Sequence, residues 1–288
     1  MATLTSRPSV DIRLLRKRLV GNRLLNRVVV AVVLIVLFCA VFGPLIAPKS
    51  ITTSNIRDAL RAPSLSHWFG TDDQGRDVFW RVVAGARESV LSAILIVAVY
   101  SVIGTIIASV ASVGGRVVDE TLMRITDAAM AIPTLIFGLG FAAALGPGLR
   151  SAIIALSVTG WPVTARLLRS IIQETSTMPY VEGARVLGVS RLDVLRRHVL
   201  PNSLDVLIVK WAADIGSTIL VISSLSFVGV GSQPPSPEWG AMVTEGQGYI
   251  ASAWWATLWP GIAIAIATVA FALLGDVVQT RLSQGKKR

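Results

Sequence analysis

From Ser89 to Val113 the chain runs for 25 residues without a charged side chain. A stretch that long and apolar has few ways to fold. In lipid every backbone N–H and C=O must be paired within the segment, which leaves a helix, and roughly 20 residues at about 1.5 Å each cross the hydrocarbon. Other segments approach or exceed that length. Val28 to about Ala47 is uncharged, with Gly43, Pro44 and Pro48 predicting fraying at its far end, and Ala128 to Leu149 is uncharged over 22 residues. Ser151 to Ala165 reaches spanning length only if Arg166 and Arg169 snorkel to the interface. A fifth segment begins near Leu204 and ends near Gly229, with Asp205, Lys210 and Asp214 in its first half, and a sixth occupies Trp254 to Leu274. With 53% hydrophobic and only 15% charged residues among 288, an ordinary soluble domain is excluded. The expected fold is an all-α membrane protein with six transmembrane helices.

Six spans put both termini on one side. Lys and Arg number 19 on the side holding the termini and seven on the other, so the termini are expected to be cytoplasmic. The asymmetry accounts for the net charge of +10 without any nucleic-acid partner. The first span is too long and too strongly flanked by basic residues for a cleaved signal peptide, so it is expected to be retained. One cysteine, Cys39, lies inside that span, and His67 and His198 are far apart, which argues against a disulfide within the chain and against a metal site. No grouping of nucleophile, base and orienting residue suggests catalysis.

These boundaries divide the chain into a basic segment 1–27, a first span 28–48, an extracytoplasmic loop 49–88, a five-helix core 89–282 and a basic tail 283–288. Within the core lie a cytoplasmic loop at about 172–203 and an extracytoplasmic loop at about 230–253. Arg13 to Arg27 (RLLRKRLVGNRLLNR) reads either as an amphipathic helix on the lipid surface or as a solvated basic tail. Asp72, Asp73 and Asp77 lack the twelve-residue calcium-loop pattern and are expected to serve turns and caps. Pro234, Pro235 and Pro237 exclude a continuous helix, while Trp239, Trp254, Trp255 and Trp259 suit an interfacial belt or packing. No internal repeat suggests an inverted-repeat transporter. Asp214 lies either at membrane depth on a substrate path or beside Lys210, four residues earlier.

Met178 to Pro201 predicts a helix, a break and a second helix. Pro179 suits a first turn, Glu182 favours the positive dipole end, and Gly188 supplies a stop. Ser190 then caps a second helix with Asp193 three residues on, Leu192 and Leu195 form an apolar stripe, and Pro201 ends the segment. The small residues Gly183, Ala184 and Gly188 would let a short helix settle closely into a partner's groove. Arg185, Arg191, Arg196 and Arg197 suit acids on that partner or lipid phosphates.

Three segments then converge on one resemblance. EGARVLGVSRLDVLRRHVLPN, from Glu182 to Asn202, resembles the "EAA" loop by which membrane subunits of bacterial ATP-binding-cassette importers engage their ATPases, matching at Glu182, Ala184, Gly188, Leu200 and Pro201. HWFGTDDQGRDVFWRVVAGARESV and LSFVGVGSQPPSPEWGAMV resemble segments of the C-type permeases of dipeptide and oligopeptide importers. His198 stands where the broader pattern has isoleucine, and Gly183 replaces the middle alanine; both are familiar in the peptide and nickel subgroup.

The resemblance implies the type I importer permease fold and a subunit forming half of a translocation pathway for dipeptides or oligopeptides. It implies that Glu182, Gly183, Ala184, Arg185, Gly188, Leu200 and Pro201 belong to an ATPase-docking loop. The implied partners are a related permease, two ATPases that bind ATP and Mg, and an extracytoplasmic substrate-binding protein, in a bacterial cytoplasmic membrane. No cofactor is expected in this chain, which carries no G-x-x-x-x-G-K-[ST] sequence. Importers of nickel, glutathione or another small solute are the alternatives, with a stand-alone secondary transporter as a rival from another class.

Overall fold

Where the sequence withholds charge, the chain is helical. A computed structural model describes residues 23–48 and 51–285. The helices are α1 (Arg23–Ile46), α2 (Val78–Ala86), α3 (Ser92–Val113), α4 (Gly115–Met130), α5 (Thr134–Leu145), α6 (Leu149–Thr159), α7 (Trp161–Ser176), α8 (Pro179–Val186), α9 (Arg191–Val194), α10 (Leu200–Phe227), α11 (Trp239–Gly246) and α12 (Trp255–Gly285). The sole extended pairing among the described residues is an isolated bridge between Thr71 and Asp77. The basic amphipathic segment expected over Arg13 to Arg27 falls mostly outside the described residues.

Five helical stretches are long and apolar enough to cross a membrane: Arg23–Ile46, Val78–Val113, Leu149–Ser176, Asp205–Phe227 and Trp255–Leu282. A sixth crossing exists if α4 and α5 count together, although they meet at 82°. The continuous third span expected over Ala128 to Leu149 is therefore a bent pair. Pro133 lacks an N–H and pushes the preceding residue out of helical geometry, so the helix stops at Met130 and restarts at Thr134.

Other boundaries move for equally local reasons. The second span begins not at Ser89 but at Val78, where the Asp77 carboxylate accepts from the Trp80 N–H at 3.1 Å. The helix then continues through a π-turn at Arg87–Leu91 into α3. Arg166 and Arg169 do not snorkel free: Arg166 pairs with Asp127, and Arg169 grips both oxygens of Asp119, tying α7 to α4. Pro201 does not end its segment. It lies in the first turn of α10, immediately after a π-turn at Leu195–Val199, so α9 and α10 form one winding path.

Lipid tails provide little hydrophobic drive for helix association, so close van der Waals packing carries it. α10 lies along α12, α3 along α7, and α1 against α2 and α12. Gly104 shows how close the approach is: a Cβ there would sit 2.8 Å from the Thr164 Cβ and 2.9 Å from the Trp161 carbonyl oxygen. The main core gathers Val33, Val90, Ile96, Ile219, Ile222, Leu225, Trp239 and Phe271.

One end of the bundle is closed by polar side chains rather than by apolar ones. Fully buried Arg81 donates to Glu245 at 2.9 Å and faces Asp72 at 3.5 Å, while Arg76 reaches the same Glu245 oxygen at 2.9 Å. Burial pushes the Glu245 carboxyl above its ordinary value, and the Arg81 and Arg76 guanidiniums draw it back down. Buried Glu238 accepts from the Ser89 hydroxyl at 3.1 Å and caps α11 through the Ala241 N–H at 2.9 Å. Asp72 accepts from the Gln74 and Arg76 N–H groups, so the acids of this stretch serve turns, caps and ion pairs. Trp239 and Trp255 are buried and donate to the Val82 and Thr71 carbonyls, and Trp259 stacks on Phe69 at 3.9 Å. Packing thus accounts for three of the four tryptophans, and Trp254 remains half exposed.

Candidate functional site

At the opposite end lies α8, a short helix with one buried residue, Val181. Its start follows from Met178 in extended geometry and Pro179 at the first helical position. Its stop is a Schellman turn: the Gly188 N–H donates to the Arg185 carbonyl at 3.0 Å and the Val189 N–H to the Ala184 carbonyl at 3.1 Å. That closure requires a left-handed residue, and Gly188 has φ +82°. Ser190 then caps α9, accepting from the Asp193 N–H at 3.1 Å and donating to its carboxylate at 2.7 Å.

Val181 is completely buried and seats α8 in a second, smaller core with Leu168, Ile172, Val194, Leu195, Val199 and Leu207. The loop is thereby coupled physically to α3, α7 and α10, since Ala108, Leu168 and Leu207 come from those helices. Tyr180 adds a polar tie, with its hydroxyl accepting from the Asn202 side chain at 3.3 Å and its ring facing His198.

The residues expected to dock a partner fall into two groups. Glu182, Gly183, Arg185 and Gly188 are exposed on α8 and its stop, and the Glu182 carboxylate meets no partner among the described residues. A Cβ on Gly183 or Gly188 would touch nothing within 4 Å. Ala184 is half-buried and packs inward, Leu200 joins the small core, and Pro201 is exposed at the start of α10. Leu192 was expected to share an apolar stripe with Leu195, yet Leu195 is buried and Leu192 is half exposed; the buried side of this turn is Val194, Leu195 and Val199. The π-turn rotates the face that meets the core.

Two side chains at the tip escaped the motif reading. Val186 and Leu187 are 87% and 85% exposed, the apolar residues of a short helix turned away from its core. Their signal is positional: Val181 and Ala184 share the inward face at a spacing of three, which puts positions five and six after Val181 on the outside.

Asp214 sits elsewhere, on α10, where it pairs with Lys210 and accepts from the Tyr100 hydroxyl of α3 at 2.6 Å. The carboxylate therefore links two spans.

Comparison with known proteins gives this geometry a family. Residues 100–288 match the model for the binding-protein-dependent transport system inner membrane component. The chain belongs to that family. It is 38% identical over 251 residues to the probable D,D-dipeptide transport system permease protein DdpC of Escherichia coli (strain K12), covering 87% of this chain and 84% of that protein. It is 35% identical to the dipeptide transport system permease protein DppC of Alkalihalophilus pseudofirmus, covering 94% of this chain and 89% of that one. The glutathione transport system permease protein GsiD of Escherichia coli O6:K15:H31 is 36% identical, with 87% and 83% covered. Among solved structures, a chain of the MetNI methionine ABC transporter in an inward facing conformation superposes with a TM-score of 0.59 at 20% identity, covering 70% of this chain and 97% of that one. That likeness establishes a shared fold.

Proposed function

We propose that this chain is one permease subunit of an ATP-driven importer of dipeptides or oligopeptides in a bacterial cytoplasmic membrane, with both termini on the cytoplasmic side. The observation that carries the reading is α8: a short helix with an exposed apolar tip at Val186 and Leu187, an unpartnered Glu182, and a buried Val181 linking it to three spans. Such a projection suits a groove on another subunit, and movement of the groove would reach the spans through the small core. Glu182, Gly183, Ala184, Arg185 and Gly188 form the docking segment, with Leu200 and Pro201 holding it to α10.

The partners are a related permease, two ATPases that bind ATP and Mg, and a substrate-binding protein that delivers the peptide. The chain itself supplies no ATPase chemistry and holds no cofactor. Asp214, held by Lys210 and Tyr100, is assigned to joining α3 and α10 rather than to contacting substrate. Similarity to the glutathione permease keeps a second reading open, in which the same pathway passes another small solute and the binding protein selects it.

The test is purification of the tagged chain from its native membrane in gentle detergent, followed by reconstitution in vesicles with ATP inside or outside. Recovery of a second permease and of ATPase subunits, with ATP-dependent peptide uptake lost on replacing Glu182 and Gly188, supports the reading. A chain that runs alone and transports without ATP overturns it in favour of a secondary transporter.

A further inference from the structure

Behind the docking segment lies a cavity of about 600 Å³, within the range of small-ligand sites of roughly 300–1,000 Å³. Its walls are the junction of α3 and α4, the end of α7, and the α8–α9 turn. Arg116, Arg185 and Arg191 line it together with Ser176 and Thr177. The sole acid in the lining is Asp119, and both of its oxygens are already held by Arg169. Arg116 has a solvent-exposed pairing with Glu120, while Arg185 and Arg191 have no acidic partner among the described residues. Three arginines therefore line one space, two of them without an acidic partner, beside a single carboxylate that is already neutralised.

We propose that this cavity binds a phosphate anion carried as the headgroup of an anionic phospholipid. Guanidinium groups match phosphate oxygens by forked, two-point hydrogen bonding. The position favours lipid over a free ion. Val113 ends one apolar stretch and Ser176 another, which suits a place among the headgroups. Its floor is apolar, built from Ile172, Val194 and Val199, and suits the start of an acyl chain. A bound headgroup would bridge α4 to the α8–α9 turn, holding the docking segment against the spans. The assignment rests on the cytoplasmic placement proposed above, because anionic lipid attracts basic clusters in that leaflet.

The experiment uses the complex purified in gentle detergent, titrated by native mass spectrometry with phosphatidylglycerol and with phosphatidylcholine of identical acyl chains. The wild type is expected to retain phosphatidylglycerol selectively. Replacing Arg116→Gln and Arg191→Gln together should weaken that retention about tenfold or more, whereas Arg124→Gln, which removes a charge elsewhere on α4, should leave it unchanged. Arg116→Lys with Arg191→Lys keeps the charge and the fold but loses the forks, and should fall between. Equal retention of both lipids, or unchanged retention in the Gln pair, overturns the site. Displacement by 50 mM inorganic phosphate assigns the cavity to a free anion and overturns the lipid assignment. Since nothing in the assay requires transport, a wild-type complex that shows no lipid selectivity yet takes up peptide normally with ATP rejects the lipid site alone.

Discussion

Gly188 and Gly183 lie five residues apart on the same exposed segment, yet the structure predicts opposite local consequences for the same substitution. At Gly188 an added Cβ touches nothing within 4 Å, so the whole cost of Gly188→Ala comes from holding an L-residue at φ +82°. That cost is about 1–2 kcal/mol. It falls on the two closing hydrogen bonds of α8, from Gly188 to Arg185 and from Val189 to Ala184. A shift of that size raises the open population of the turn by a factor of about 5–30. Gly183 is helical and equally unobstructed, so Gly183→Ala should stabilise α8 by about 1 kcal/mol. Amide hydrogen exchange of the 179–190 segment in the purified complex reads both effects: protection should fall in Gly188→Ala, recover partly in Gly188→Asn, and rise in Gly183→Ala. Peptide uptake should fall in Gly188→Ala, which disorders the docking helix, hold in Gly183→Ala, which restores the alanine of the broader pattern, and fall in Gly183→Trp, which thickens the face that meets the partner. Unchanged protection in Gly188→Ala would refute the backbone argument, and wild-type uptake by Gly183→Trp would refute the requirement for a small residue.

Further expectations concern the supports of this segment and the far end of the bundle. Ser190→Ala removes the cap of α9 and should cost about 1 kcal/mol, seen as faster exchange over 191–195 with little change elsewhere. Asp119→Asn breaks the two-point grip of Arg169 and should loosen α4 from α7, measured as a changed distance between spin labels at Arg124 and Ser170. Glu245→Ala takes the nearest carboxylate from buried Arg81, leaving Asp72 at 3.5 Å, and should destabilise the protein by about 3 kcal/mol in detergent unfolding, with a much smaller loss for Glu120→Ala, whose pair with Arg116 is exposed.

Much of this architecture was legible because lipid imposes a strict rule on backbone pairing. Uncharged runs of 20 or more residues marked α1 and α3 directly, whereas α2 was read as part of the loop before α3; the stop at Gly188 and cap at Ser190 were readable because each rests on one residue's local chemistry. The misreadings share a cause, which is that they depend on neighbours distant in sequence or on helix phase. Arg166 and Arg169 looked like snorkelling charges because Asp127 and Asp119 lie about forty and fifty residues away. Pro133 was read through as a span because its run is uniformly apolar, although its missing N–H forces an 82° bend. Pro201 looked like a stop because the π-turn that leads into it has no sequence signature. Val186 and Leu187 were overlooked because motif spacing names residues that fit a pattern, whereas their exposure follows from which face Val181 buries.

The central claim is that the exposed tip of α8 docks on a separate ATPase. Its most direct test places the photocross-linker benzoylphenylalanine at Leu187, and as a control at Leu65, which is 98% exposed on the far side of the first span. Illumination of intact membranes, followed by mass spectrometry of the adducts, should give an ATP-binding-cassette ATPase from position 187 and none from position 65. No ATPase adduct at position 187, or the same adduct from both positions, would contradict the account.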